Sequence, residues 1–347
     1  MSHEIRSNKD AVWSAAEGAG WTGLGRAIPA DITKDAGKIA EFLGATWTVD
    51  ALPVYVKQAD GTFREVSNAK GQVRSDTGRV LSLTSNLYKT ENRQPRDYVE
   101  AFDKELRDNG MDISHAAVLG GGEFIAVSAL MNPDFDIIVG KGDRVQSYVT
   151  LSGGYNLKHG TKATKGGMRV VCKNTLMGSI ALAERTRQIR TIRATQELEW
   201  DSLAKLIENV KSLVDAEREA YNQMNNAKLS DADVLRFFAD TIEVNVADLD
   251  KTDKQGKKII STKSENILKA LAAAYKNAPG QHIATGTVWG ALNAVTYFAT
   301  HQKTVRDTKD DGAAAARVAS NMYGGAAQMK ARAQALALQK IGVLQAA

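Results

Sequence analysis

The chain of 347 residues contains a single cysteine, Cys172, and no long run of apolar residues. One cysteine cannot form an internal disulfide bond, and by itself it cannot build a cysteine-based zinc site. No stretch approaches the ~20 apolar residues of a membrane-spanning helix, and residues 1–10 are polar rather than typical of a signal peptide. We therefore expect a cytoplasmic protein without a membrane partner.

Sequence signals for metal binding and for common catalytic sites are also missing. None of the five histidines has another His or Cys three or four residues away, which is the spacing of zinc ligands. The glycines of residues 153–167 are not followed by the Gly-Lys-Ser/Thr of a phosphate-binding loop. Cys172 follows two valines, which is typical of a small buried core residue. We expect no metal, no cofactor and no catalytic centre.

The chain does have the composition of an ordinary globular protein, with 43% hydrophobic and 24% charged residues. Its net charge of +5 is unevenly distributed. Residues 141–200 contain 11 Lys and Arg against 4 Asp and Glu, whereas the rest of the chain contains 34 against 36. A local excess of positive charge is typical of a surface that binds phosphate groups.

The residue types change near position 195. Before it, short runs rich in Val, Thr, Tyr and Ile alternate with turn residues, and glycine-containing turns join pairs of runs into three hairpins. After it, Ala, Leu, Lys, Glu and Gln dominate at helical spacing. We therefore predict an α+β fold, with an antiparallel β-hairpin sheet and helices in residues 1–195 and a helical domain in residues 196–347.

Helix signals accompany these predicted elements. Thr33 is placed to cap a short helix that Gly44 ends, and Pro95 suits the first turn of a second helix. Residues 313–344 form an alanine-rich segment, and alanine favours a helix but buries little apolar area. We predict that this segment needs a partner surface, and we interpret it as the helix through which copies of the chain form a homo-oligomer.

Residues 153–167 combine glycine with basic residues between two predicted strands, so we interpret them as a loop. Its cations would neutralise phosphates, and a solvated loop is the alternative. Arginines follow in residues 185–193, where a strand or a helix would concentrate their charge. Tyr155 would stack on a base, whereas a partly buried sheet position is the commoner role of a tyrosine. The candidate nucleic-acid-binding residues are Lys158, His159, Lys162, Lys165, Arg169, Lys173, Arg185, Arg187, Arg190, Arg193 and Tyr155.

Two other functional classes stay open. The Asp-Thr-Gly tripeptide at Asp76 is that of aspartic proteases, but the polar residues before it and the lack of a second copy favour a hairpin turn. An enzyme acting on a nucleotide or a phosphorylated substrate would place Asp76, His159 and Asn174 around a pocket. A structural or assembly protein would use the alanine-rich segment as its subunit contact.

Several short segments along the chain form a recognisable set. They are Trp21-x-Gly-Leu-Gly25, Val73-Arg-Ser-Asp-Thr-Gly-Arg-Val80 followed by Tyr88 and Asn92, Gly120-Gly121-Gly122, Arg169-Val-Val-Cys-Lys-Asn-Thr-Leu176 and Gly286-Thr-Val-Trp-Gly-Ala-Leu-Asn-Ala-Val295. Together they resemble a phage- and plasmid-related protein family of unknown function, and the resemblance covers nearly the whole chain.

This resemblance implies a role in the DNA metabolism of mobile elements. The expected fold is similar at the level of architecture to single-strand annealing proteins, which combine a sheet of hairpins with helices and assemble into rings or filaments. We therefore expect a protein that binds single-stranded nucleic acid, above all DNA, in recombination or replication, with strand annealing as a candidate activity.

Overall fold

The computed structural model describes residues 11–14, 25–89, 93–108, 110–119, 121–155, 161–169, 171, 174–176, 190–192, 202–256, 258–304, 320–321 and 324–343. This part of the chain contains twelve strands in two sheets and seven α-helices, five of which follow residue 200. The predicted α+β fold is therefore confirmed, with the helices concentrated in the C-terminal half.

A sheet of nine strands and a sheet of three strands hold the strands of the described residues. In chain order the strands are β1 (Ala11–Ser14), β2 (Arg26–Ile28), β3 (Val49–Lys57), β4 (Phe63–Arg74), β5 (Val80–Ser85), β6 (Ile113–Leu119), β7 (Phe124–Leu130), β8 (Ile137–Val139), β9 (Asp143–Gly154), β10 (Thr161–Arg169), β11 (Asn174–Leu176) and β12 (Arg190–Ile192). The large sheet has the order β11-β10-β9-β7-β6-β1-β2, with β8 paired to β9 and β12 paired to β10. The small sheet has the order β3-β4-β5.

The helices range from short connectors to a long helix after residue 200. They are α1 (Ala36–Leu43), α2 (Pro95–Asp108), α3 (Ser202–Asn226), α4 (Asp231–Thr241), α5 (Thr262–Asn277), α6 (Val288–Tyr297) and α7 (Gly325–Lys340). A π-helical turn, Phe298–Gln302, continues α6. Among the described residues, no helix combines the length and the apolar character that crossing a lipid bilayer requires.

Glycines with positive φ angles form the turns of the three predicted hairpins. Gly61 (φ 86°) lies between β3 and β4, Gly78 (φ 67°) between β4 and β5, and Gly122 (φ 109°) between β6 and β7. Glycine is favoured at such angles because it has no Cβ to clash with the backbone. All three hairpins are confirmed, and β4 continues from the first into the second, so that β3, β4 and β5 form a meander.

Capping residues explain where the first helices begin and end. Asp35, rather than the predicted Thr33, caps α1, because its carboxylate accepts a hydrogen bond from the Lys38 backbone N–H at 3.0 Å. Gly44 ends α1 in the left-handed conformation, as predicted. Pro95 begins α2, where a missing backbone N–H costs nothing.

The helices pack against one face of the large sheet, which we call its inner face. On β9 the inner-face residues Val145, Ser147, Val149 and Leu151 are each exposed by 1% or less, and the alternate residues between them are partly exposed. Helix α2 contacts β7 and β9, and α3 contacts β8 and β10. The other side of the sheet, the outer face, carries the alternate residues of the same strands.

The two halves of the chain share a hydrophobic core. One cluster of buried residues includes Val149 of β9 and Leu292 of α6. The Trp289 indole of α6 is fully buried and donates its Nε1–H to the Asp143 carboxylate of β9 at 2.8 Å. A hydrogen-bond partner stabilises a buried indole N–H, so this bond helps to fix α6 against the sheet.

The small sheet leaves large hydrophobic side chains in solvent. Seven of the twelve exposed large hydrophobic residues in the described part of the chain lie in residues 52–87. Leu52 and Leu83, exposed by 47% and 61%, flank Gly71 in register, and Phe63 near the end of the β3–β4 hairpin is exposed by 69%. Exposed apolar clusters of this kind mark interaction surfaces.

Residues 325–340 of the alanine-rich segment form α7, and the surface that this helix packs against lies in the same chain. Eight residues of α7 are buried, including Ala333 and Ala337. Helices α3, α4 and α6 contact it. The small alanine side chains allow this close packing, so α7 is a core helix of the protomer.

Candidate nucleic-acid interface

Residues 161–169 form strand β10, so the prediction of a basic loop over residues 153–167 is wrong for most of its length. Strand β10 pairs antiparallel with β9 from Lys162 opposite Ser152 to Arg169 opposite Val145. Glycine and lysine are poor strand residues by themselves, and pairing with β9 overrides that preference. Residues 156–160, which include the candidates Lys158 and His159, lie outside the described residues.

Lys165 is an internal residue rather than a surface cation. Its ammonium group forms an ion pair with the Glu217 carboxylate of α3, and both side chains are 1% exposed. A buried charge needs such a partner, because removing it from water is costly. Lys165 therefore holds β10 against α3, and we remove it from the residues that we propose to contact phosphate.

Tyr155, the predicted stacking residue, is also buried, with 1% of its surface exposed. Its ring packs edge-on against Trp47, with 6.0 Å between the ring centroids. Burial is the main cause that raises the pKa of the Tyr155 hydroxyl well above its ordinary value. The tyrosine is a core residue in this structure and offers no face to a base.

Polar side chains around Tyr155 hold the β9–β10 hairpin in place. The Tyr98 and Thr161 hydroxyls lie 2.7 Å apart, and Arg93 donates to the Thr161 hydroxyl at 2.9 Å. Tyr88 donates its hydroxyl to the Gly154 carbonyl at 2.5 Å. Burial is the largest cause raising the pKa of Tyr88 and that of Tyr98, so both stay protonated donors at neutral pH. These bonds fix the strand that carries the basic positions.

Three of the predicted cations lie on paired strands at one end of the large sheet. Lys162 is opposite Thr191 and Ala163 is opposite Arg190, so Lys162 and Arg190 occupy adjacent register positions. Arg169 lies at the other end of β10, opposite Asn174 of β11. The remaining cations, Lys173, Arg185, Arg187 and Arg193, lie outside the described residues.

The outer face of the large sheet carries a polar and aromatic row that our sequence analysis missed. In register across four strands it contains Trp13 of β1, His115 of β6, Ser128 of β7 and Thr150 of β9. The Ser128 and Thr150 hydroxyls lie 2.8 Å apart. Tyr148, two residues before Thr150, packs edge-on against His115 at 6.2 Å between centroids. Alternation with buried residues in β6, β7 and β9 is the signal that could have identified this row.

Asp76 belongs to a structural turn. Its carboxylate accepts two hydrogen bonds from the Arg74 guanidinium, at 2.7 and 2.8 Å. These bonds are the first cause lowering the Asp76 pKa, and the same guanidinium lies 4.4 Å from the Trp47 ring centroid. The arrangement fits the predicted turn rather than a proton-sharing carboxylate. Within the described residues, no cluster of three His, Cys, Asp or Glu side chains is placed to hold a metal.

Comparison with known proteins assigns the chain to a family of unknown function. Residues 80–321, more than two thirds of the chain, match the model of a family described as a domain of unknown function, DUF932. No curated protein and no solved structure matches the chain. These comparisons therefore supply no activity for the chain, and its function is a matter of proposal.

Proposed function

The chain belongs to the DUF932 family, whose function is unknown, and we propose that it binds single-stranded nucleic acid, in the first place DNA. The proposed contact region is the end of the large sheet formed by β9, β10, β11 and β12. The resemblance to phage- and plasmid-related proteins supports a role in recombination or replication of a mobile element, with strand annealing as the activity. The site of action would be the cytoplasm of the host cell.

The observation that carries this proposal is the register of the basic positions. Lys162 and Arg190 are adjacent on paired strands, and Arg169 follows seven residues along β10. Seven residues of a strand span roughly 23 Å at about 3.3 Å per residue. Because side chains alternate along a strand, the register places Lys162, opposite Ser152, on the outer face. Arg169 and Arg190 share the inner-face register of Val145 and Leu151, so the bound strand would follow the end of the sheet rather than one of its faces. Arginine suits such contacts because its planar guanidinium pairs with phosphate through two hydrogen bonds.

Salt-dependent binding of an oligonucleotide tests the proposal. We expect log affinity for a single strand to fall linearly with log salt, by about 0.7 per phosphate neutralised. The double variant Lys162→Glu/Arg190→Glu should bind at least tenfold more weakly and show a shallower salt slope. Lys254→Glu, which changes an exposed lysine between α4 and α5, away from both sheets, is the matched control and should bind as the wild type does. Unchanged affinity in the double variant would refute the proposed contact region.

We also propose that copies of the chain associate through the small sheet. Its exposed residues include Leu52, Phe63 and Leu83, and apolar surface of this kind is stabilised when another protein covers it. The α7 helix is less suited to this role because its apolar side chains pack inside the protomer. Particle mass should decrease in Phe63→Ser/Leu83→Ser and stay unchanged in Leu235→Ser, a control at an exposed leucine of α4. Equal mass in all three proteins would exclude the small sheet as the subunit contact.

A further inference from the structure

The outer face of the large sheet differs from an ordinary solvent-exposed sheet face in its composition. Its described strand residues on β1, β6, β7 and β9 are mainly aromatic, hydroxyl-bearing or small. They include Ala11, Trp13, His115, Ala117, Phe124, Ala126, Ser128, Leu130, Gln146, Tyr148, Thr150 and Ser152, and Arg144 of β9, at the same parity, is ion-paired with Asp136. None of these twelve residues is Asp or Glu. A solvated face normally carries charges of both signs, whereas this face would not repel a polyanion.

Two parallel rows cross the strands of this face. The first is the polar and aromatic row of Trp13, His115, Ser128 and Thr150. The second contains only small residues, from Ala11 through Ala117 and Ala126 to Ser152, and Lys162 of β10 is in register with its last member. The small row therefore forms a lane that is lower than the aromatic side chains beside it, with Lys162 at its end. Ala11 and Ala126 of this lane are themselves buried by their neighbours, whereas Ala117 and Ser152 are partly exposed.

The aromatic residues beside this lane are only partly covered. Trp13, His115 and Tyr148 are all partly exposed, and no member of the first row belongs to the hydrophobic core cluster. A fully buried ring packs against core residues, whereas a ring on an open sheet face presents part of its π surface. Base–aromatic stacking contributes substantially to single-strand binding and tolerates any sequence, because every base has a π face.

We propose that the outer face holds the bases of the bound single strand, with Trp13, His115 and Tyr148 as the stacking residues. This inference rests on the proposed function and extends it from the phosphates to the bases. The strand crosses the sheet along the lane of small residues, and its phosphates reach Lys162 of β10, the basic position whose register places it on this face. The hydroxyl groups of Ser128 and Thr150 face the base edges and donate or accept hydrogen bonds there.

Oligonucleotides with and without bases separate this inference from the proposed function. A thymidine oligonucleotide and one of equal length with abasic sites at its central positions carry the same number of phosphates. The wild type should bind the thymidine strand at least fivefold more tightly for each stacked base that the abasic strand lacks. Tyr148→Leu and Trp13→Leu retain apolar bulk but lose the aromatic face, so both should lose most of this preference. Tyr55→Leu, at an exposed tyrosine of the small sheet, is the matched control and should keep it.

The binding measurements distinguish three cases. If the wild type binds both strands equally and salt still weakens binding, the base-holding face is wrong and the proposed function stands. If the wild type binds neither strand, the proposed function fails as well. If Tyr148→Leu and Trp13→Leu keep the full preference for bases, the stacking residues lie elsewhere.

A measurement on the wild type alone covers the case in which these variants fail to fold. A 5-iodouracil oligonucleotide, irradiated in the complex, forms covalent bonds with nearby aromatic side chains, and peptide mapping locates them. Crosslinks to peptides of β1, β6 or β9 would support the inference. Crosslinks confined to the small sheet, where Tyr55 and Phe63 are exposed, would overturn it.

Discussion

Lys330 of α7 shows how strongly burial in the fold can change the pKa of a single side chain. The lysine is 1% exposed, and its ammonium group donates to the Asn321 side-chain oxygen at 2.9 Å. Burial lowers the pKa of Lys330 from 10.5 to about 7, because the charged form loses its hydration. Between these two pH values the unfolded chain holds the proton and the folded chain releases it. The free energy of unfolding therefore rises with pH across this window.

Replacing Lys330 with methionine should stabilise the protein at neutral pH. Methionine has no proton to lose, so the substitution removes the free-energy cost of deprotonating the buried lysine, which is about 1.4 kcal/mol for each pH unit between pH 7 and the pKa of the unfolded chain. The substitution also leaves Asn321 without this donor, which costs about 1–3 kcal/mol. We expect a net gain on the order of 2 kcal/mol at pH 7 in urea unfolding. The wild type should also gain stability from pH 7 to pH 9 that Lys330→Met does not gain. Equal pH dependence in both proteins would contradict the lowered pKa.

Gly122 illustrates a different constraint at the residue scale. A Cβ at this position would lie 2.8 Å from Cη2 of Trp47, and the backbone has a φ of 109°. Trp47 is 5% exposed, and the Arg74 guanidinium lies against its ring, so the indole cannot move aside. Gly122→Ala should cost at least about 2 kcal/mol more than Gly78→Ala, since overpacking adds to the backbone strain.

Comparison with Gly78 separates the cost of the steric clash from the cost of the backbone conformation. Gly78 also has a positive φ, 67°, but no atom lies within 4 Å of a Cβ placed there. Its replacement by alanine should therefore show only the backbone cost of about 1–2 kcal/mol. Thermal unfolding of the two variants measures the difference, and equal melting temperatures would show that Trp47 does not limit position 122.

At the scale of elements, the ion pair between Lys165 and Glu217 joins strand β10 to helix α3. Lys165→Met alone leaves the Glu217 carboxylate buried without this cation, and we expect a loss of about 3–5 kcal/mol. The double variant Lys165→Met/Glu217→Leu should recover most of that loss, because apolar side chains fill the site. Chemical denaturation of the two variants gives these values.

Oligonucleotide binding by the same double variant provides the functional control. Because the Lys165 side chain is 1% exposed, its removal should leave affinity and salt slope within about twofold of the wild type. A large loss of affinity in the well-folded double variant would show instead that Lys165 contributes to phosphate binding.

Local signals explain which elements could be predicted. Gly61, Gly78 and Gly122 mark turns by their own conformational freedom, and Pro95 marks the start of α2. Strand β10 could not be predicted, because its Gly- and Lys-rich sequence favours a loop until β9 supplies the hydrogen-bonding partner. The parallel pairing of β1 with β2 likewise has no local signal.

The candidate site depends still more on non-local pairing. Neither Trp13 nor His115 belongs to a basic or glycine-rich segment, and only the register of β1 with β6 brings them together. Conversely, composition alone made Lys165 and Tyr155 candidates, and the packing of α3 and Trp47 buries them. Charge and residue type can therefore indicate a kind of ligand, while the face on which a side chain lies is decided by strand pairing.

At the scale of the whole molecule, a continuous core connects the β-rich half to the helical half. Trp289 and Asp143 are 146 residues apart in sequence and form a direct hydrogen bond. Strand β10 and helix α3 are joined in the same way by the Lys165–Glu217 pair. Because these contacts are formed across the predicted boundary at residue 195, we expect the two halves to unfold together rather than separately.

Truncation at Gly312 distinguishes a structural role of α7 from a role in assembly. The deletion removes the eight buried residues of α7, among them Ala333, Ala337 and Leu338, and uncovers the surfaces of α4 and α6 that they contact. We expect the truncated chain to unfold at a much lower temperature and to expose apolar surface to a hydrophobic dye. A truncated protein with an unchanged melting temperature and a smaller particle mass would show instead that α7 serves as the subunit contact. Phe63→Ser/Leu83→Ser should give the opposite pattern, with reduced mass and a preserved melting temperature, because those side chains are exposed in the protomer.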